Sequence, residues 1–257
     1  MSLLSVEGLS KSFDGIQAVR DATFEVEEGE LVGVIGPNGA GKTTTFDLVS
    51  GVLAPDSGTV RLDGEDVTDT PPHELARHGM VRTFQQSREL TSMTVRENVA
   101  LGDLSHPGER AATAVFRPGE VQAYEAEVHE RVDELLEMFE LARLADEYAA
   151  SLSGGQRKLL EVARALVLDP DLMLLDEPFA GVNPTLQARI VDHIVRLNRE
   201  EGRSFLIVEH EIETLAEMVE RIIVLDQGSV LTTGTPEEVL SDERVIDAYL
   251  GGDQEDR

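Results

Sequence analysis

An apolar run, Leu31–Ile35, passes without a break into GPNGAGKTT, Gly36–Thr44. Four residues separate Gly36 from Gly41, and Lys42 and Thr43 follow, which is the spacing of a phosphate-binding loop set between a buried strand and a helix. Glycines let backbone N–H groups turn inward, and a helix opening at about Thr43 aims its positive end at the same point. Lys42 would then reach β- and γ-phosphates, and the Thr43 hydroxyl would ligate Mg²⁺. A glycine turn with a surface lysine is the plainer reading, but the strand before it and the helix after it argue against that. The chain has three lysines, Lys11, Lys42 and Lys158, and one of them stands here.

The rest of the chain fits an α/β core. Strands are expected at Leu3–Leu9, Ala22–Val26, Thr59–Leu62, Met80–Phe84, Asp171–Leu175, Ser204–Val208, Ile222–Leu225 and Val230–Thr233, the last two around a Gln227–Gly228 turn. Helices are expected over Thr43–Leu48, after Pro71–Pro72, over Gly155–Leu168 and Pro184–Arg199, and from about Glu211. Strands alternating with helices imply a mainly parallel sheet with crossover helices. From about Thr94 to Leu144 the character changes. Val121–Leu141 is acidic, with apolar residues at Val128, Val132, Leu135, Leu136 and Phe139 in a helical period. Ser105–Gly119 reads as a loop, and the whole stretch as a helical insertion in the core.

Two further motifs carry chemistry. LMLLDEP, Leu172–Pro178, is a buried run that ends on two carboxylates about 130 residues past the phosphate loop. Ligands gather at the carboxyl ends of strands in open α/β sheets, so Asp176 is placed to hold Mg²⁺ and Glu177 to polarise a water. A solvated acidic turn is the alternative. LSGGQ, Leu152–Gln156, puts Ser153 and two glycines before a helix, a second hydroxyl-and-backbone phosphate site. One ATP does not need two such loops from one chain, so the second suits an ATP held by another subunit. The alternative is a serine-capped helix after a glycine turn.

Fifty acidic residues face 22 basic ones, a formal charge of −28, and there is no cysteine. Disulfides, thiolate metal sites and cysteine nucleophiles are excluded. A negative surface disfavours the phosphates of nucleic acid. The acids are scattered along the chain, which favours a salt-rich solvent over a basic partner. No run approaches the roughly 20 apolar residues of a membrane span, and no secretory leader is visible.

Phosphate loop, LSGGQ, acidic strand end and a later histidine, in this order, resemble the ATP-binding cassette (ABC) ATPases along nearly the whole chain. VRTFQ (Val81–Gln85), LTSMTVRENVALG (Leu90–Gly102), the segment around Phe116–Glu120, DEPFAGVNP (Asp176–Pro184), VEHEIE (Val208–Glu213) and VIDAYLG (Val245–Gly251) are similar to the ATPases of branched-chain amino-acid importers. Importers of urea or short amides use near-identical motors. The resemblance implies a P-loop NTPase core with a mainly parallel sheet, an N-terminal antiparallel β subdomain and a helical insertion. As a single domain, it would comprise a core of 1–89 and 160–257 and a helical subdomain of about 90–159.

It also implies roles. Gly36, Pro37, Asn38, Gly39, Ala40, Gly41, Lys42, Thr43 and Thr44 would wrap the phosphates of ATP. Ser153, Gly154, Gly155 and Gln156 would face the ATP of the opposite subunit. Phe13, 23 residues before Gly36, would stack on adenine rather than fill a core. Gln85, or Gln86 beside it, would touch Mg²⁺ and the attacking water, and His210 the γ-phosphate. Glu177 would be the catalytic base, with Lys42, Gln85 and His210 assisting, and Thr43, Gln85 and Asp176 would surround the metal. Asn183 stands where many relatives have aspartate. The expected partners are transmembrane permease subunits, a second ATPase in a homo- or heterodimer and, indirectly, an external solute-binding protein. The expected location is cytoplasmic, on the inner face of the membrane. A small-molecule kinase would lack the second phosphate loop, and ABC proteins acting on DNA or ribosomes typically carry coiled coils or two cassettes.

Overall fold

A computed structural model describes residues 2–83, 90–103, 118–210 and 212–252. The chain divides into two units. Unit one comprises Met1–Arg82, Asp171–Phe179 and Ile194–Arg257; unit two comprises Thr83–Pro170 and Ala180–His193. The division falls later than the expected residue 160, because the helix after the Ser153 loop groups with the helices before it. A second short stretch, 180–193, joins the same unit.

Unit one holds two sheets. The first is antiparallel, in the order β2-β1-β4-β5, from β1 (Ser2–Phe13), β2 (Ile16–Glu27), β4 (Ser57–Leu62) and β5 (Glu65–Asp66). β1 and β2 outrun the expected strands because Asp14 and Gly15 both adopt positive φ, 48° and 86°. That is the backbone of a tight two-residue hairpin, and it carries pairing to Phe13↔Ile16. The second sheet has the order β10-β9-β3-β8-β7-β6, with β3 (Leu31–Ile35), β6 (Met80–Arg82), β7 (Leu172–Asp176), β8 (Ser204–Val208), β9 (Arg221–Asp226) and β10 (Ser229–Gly234). All its pairs are parallel except β9–β10. β3, β7 and β8 are buried at every residue, as parallel strands covered on both faces must be. Leu4, Val6 and Val60 of the first sheet share one core with Val32, Leu174 and Leu206 of the second and with Phe46 and Leu48. The last two belong to α1 (Lys42–Val49).

α2 (Pro72–Leu75), α7 (Ile212–Met218), α8 (Pro236–Ser241) and α9 (Glu243–Gly252) complete unit one. α8 and α9 were not expected from the sequence, although Thr235 and Glu238 form a reciprocal capping box ahead of the first.

Unit two is helical: α3 (Val95–Ala100), α4 (Pro118–Met138), α5 (Gly154–Leu166) and the first half of α6 (Pro184–Glu201). α4 starts three residues before the expected Val121, at a proline whose fixed φ suits a first turn. Val132, Leu135, Leu136 and Phe139 are buried, as their spacing requires. Asn98 is fully enclosed and satisfied. It accepts from Leu90 N at 2.8 Å and donates to Thr94 O at 2.9 Å. Among the described residues no helix is long and apolar enough to cross a membrane.

Candidate functional site

The site in unit one begins where β3 runs out. A Cβ on Gly36 would lie 2.2 Å from the Leu225 carbonyl oxygen, and one on Gly41 would lie 2.6 Å from that of Ala18. Gly41 also takes φ 96°, which L side chains avoid. Both glycines are therefore required by the path of the loop, whatever it binds. Ala40 N donates to Pro37 O at 3.1 Å and Thr45 N to Gly41 O at 2.8 Å, closing the loop onto α1.

Lys42 is 6% exposed, and its Nζ donates to Gly36 O at 2.6 Å and to Pro37 O at 3.1 Å. Burial pushes its pKa down, and the nearby Glu177 carboxylate pushes it back up. A cavity of about 360 Å³ opens here, lined by loop residues Asn38–Thr44 and by Ala18, Glu177 and His210.

The acidic pair reaches the same place through strand order. β7 lies beside β8, and Asp176 pairs with Val208. Glu177 N donates to Val208 O at 2.9 Å, and Glu177 takes φ 49°. A non-glycine residue in that region costs of order 1–3 kcal/mol and persists only where its surroundings hold it there. Buried Glu209 supplies the hold. Its Oε1 accepts from Phe179 N at 2.8 Å and its Oε2 from His210 N at 3.1 Å, linking the turn after Glu177 to the end of β8. His210 Nε2 then meets Glu177 Oε1 at 2.9 Å.

Asp176 is 1% exposed; its Oδ2 accepts from Arg82 at 2.8 Å, while its Oδ1 has no hydrogen-bond partner. A bare buried carboxylate oxygen is costly, and a hydrated cation is the chemistry that satisfies it. No group of three or more His, Asp or Glu side chains gathers among the described residues.

Lys42, Thr43, Glu177 and His210, expected from the sequence, thus share one cavity. Phe13 is 43% exposed near the hairpin tip, which removes the core reading for it. Gln85 and Gln86 lie outside the described residues. Sequence reasoning missed Ala18, Glu209 and Tyr249. Tyr249, in α9, accepts a hydrogen bond from the Gly36 backbone, which opposes the upward push of burial on its hydroxyl.

Ser153 and its neighbours lie in unit two. Ser153 Oγ accepts from Gln156 N at 3.3 Å, and Gln156 Oε1 accepts from Ser153 N at 2.9 Å, a capping box at the start of α5. Ser153 and Gly154 remain exposed in front of it, and Gly155 is half-buried beside Leu186. Asn183 caps α6, its Oδ1 accepting from Leu186 N at 3.0 Å.

Residues 19–180 match the ABC transporter family. The chain belongs to that family. The cassette is accordingly an ATPase, and its residues 229–255 match a second description, the branched-chain amino acid ATP-binding cassette transporter. It is 43% identical over 251 residues to a probable branched-chain amino acid transport ATP-binding protein, LivG, of Archaeoglobus fulgidus, covering 98% of the cassette and 96% of the relative. It is 38% identical over 256 residues to the lipopolysaccharide export ATP-binding protein LptB of Haemophilus influenzae, covering 98% of each. A solved cassette of an ABC transporter in its ADP conformation superposes with a TM-score of 0.84 at 35% identity, over 98% of this chain and 99% of that one.

Proposed function

We infer that the cassette is the motor of an importer for branched-chain amino acids or a related small solute such as urea or an amide. The observation that carries this is the meeting of Lys42, Glu177 and His210 in one cavity at the phosphate loop. The match of residues 229–255 directs the choice of cargo, since identity alone is similar to the importer and exporter relatives.

ATP lies along Gly36–Thr44, with Phe13 against the adenine and Lys42 on the β- and γ-phosphates. Thr43, Asp176 and Gln85 would hold Mg²⁺, which would neutralise phosphate charge. Glu177 orients and deprotonates the attacking water, and His210 hydrogen-bonds the γ-phosphate. Two subunits close head-to-tail, each ATP meeting Ser153, Gly154, Gly155 and Gln156 of the opposite one. ATP drives transport because it binds the closed pair better than the open pair. Permease subunits hold the cassette at the inner face of the membrane, an external solute-binding protein delivers cargo, and nucleic acid takes no part.

The test is reconstitution with the permeases and solute-binding protein in vesicles. ATP-dependent uptake of labelled leucine or urea is expected; export of a lipid with neither taken up would overturn the cargo.

The charge of −28 gives a second expectation. Closing two such bodies at about 0.1 M salt sets repulsion acting over roughly 10 Å, shortened to about 3 Å at 1 M. Melting temperature and turnover should both rise from about 0.1 M toward molar KCl. Flat or falling profiles would overturn the salt-rich reading of the acidic surface.

A further inference from the structure

Arg82 ends β6, three residues before Gln85, and its register partner on β7 is Leu174. Leu174 and Asp176 lie on the same face of β7, by the two-residue period of a strand, so Arg82 reaches forward to Asp176. Its side chain is 13% exposed. Nη2 donates to Asp176 Oδ2 at 2.8 Å, and Nη1 donates to Asp47 Oδ1 at 2.6 Å and to Ser50 Oγ at 2.8 Å. The guanidinium carbon lies 5.7 Å from the centre of the Phe46 ring. Phe46 and Asp47 belong to α1, the helix that grows out of the phosphate loop, and Ser50 caps its end.

This arrangement is lopsided in a useful way. The fork occupies one oxygen of Asp176 and leaves the other, buried Oδ1, bare. Carboxylate χ2 is a soft torsion, and an arginine gripped from behind by Asp47 and Ser50 removes that freedom. One cation between two carboxylates also leaves the cluster a net negative charge to offer an incoming ion. Lysine cannot reproduce the planar, several-armed grip.

We propose that Arg82 is a positioning residue for Mg²⁺: it locks Asp176 with Oδ1 presented to the metal and ties that carboxylate to both the phosphate-loop helix and the strand leading to Gln85. The proposal rests on Asp176 being the metal ligand. A merely structural ion pair would affect stability and leave the metal requirement alone.

The test titrates Mg²⁺ into the full-length chain with a fluorescent ATP analogue and compares it with the same binding in EDTA. Arg82→Lys should bind nucleotide in EDTA at the parental level, because the loop amides and Lys42 are untouched. It should need about 10–100-fold more Mg²⁺ to reach the tight state, the usual cost of losing a group that orients a metal ligand. A Mg²⁺ curve superimposed on the parent's, whatever the melting temperature, would overturn the proposal. If Arg82→Lys fails to bind in EDTA, Asp47→Asn takes its place. It loosens the grip from behind without touching Asp176; a raised Mg²⁺ requirement supports the proposal and an unchanged one overturns it. A parent chain that binds nucleotide without any Mg²⁺ response would instead overturn the reading of Asp176, and this inference with it.

Discussion

ATP hydrolysis by the Glu177→Gln protein should fall by about 10²–10⁴, the contribution of a positioned general base and roughly 3–5 kcal/mol of barrier. Glutamine keeps the size of the side chain and one acceptor oxygen. It cannot take a proton from water. The substitution should disturb little else, since the backbone of Glu177 is held by Val208 O and by the Glu209 bridge rather than by its own carboxylate. Its hydrogen-bond partner among the described side chains, His210 Nε2 at 2.9 Å, can donate to an amide oxygen as it does to a carboxylate. Binding should persist, and ATP should collect uncleaved between two subunits. Gel filtration in high salt with Mg-ATP should then show a dimer that ADP does not support. Mixing with a second ATPase chain is the control for a heterodimer. Hydrolysis at the parental rate would remove Glu177 from the chemistry.

Lys42→Ala should abolish measurable hydrolysis and weaken ATP binding. Lys42 Nζ is already sequestered against Gly36 O and Pro37 O. Its charge is poorly hydrated there, the condition in which a charge-assisted bond to phosphate is strongest. Hydrogen bonds to charged groups contribute about 1.5–3 kcal/mol each, so binding should drop by about 10–150-fold. β3 and α1 are held by sheet pairing and helix hydrogen bonds that do not involve the ammonium, so circular dichroism should be unchanged. Full activity in this variant would refute the assignment of the phosphate loop.

What the sequence made legible was what it writes in consecutive residues. The phosphate loop, the Asp176–Glu177 pair and the Ser153 cap each fit within nine positions, and their backbone geometry follows from local glycine, hydroxyl and dipole chemistry. The Asp14–Gly15 hairpin is equally local, a dipeptide with a known turn preference, and it sets the length of both first strands. The grip of Arg82 was not legible. It joins residues 35 and 94 positions away, and those distances close only once β6, β7 and β8 take their order in the sheet. Glu209 is similar: in a chain with fifty acidic residues, nothing marks the one that turns inward to hold two strand ends. The grouping of 180–193 with the helical unit was hidden because α6 runs as one unbroken helix across the division.

The Tyr249 contact bears on how this protein should be handled at the bench. Through the Tyr249 hydroxyl, α9 lies against the backbone of Gly36, at the start of the Gly36–Thr44 loop. Any bulky fusion after residue 252 would pull on that helix. Ser2, by contrast, pairs with Glu27 at the foot of the first sheet, ahead of the strand whose far end carries the loop. Fluorophores, affinity handles and surface tethers belong at Ser2, where a load on the chain is taken up by twelve residues of strand pairing before it reaches the Gly36–Thr44 loop.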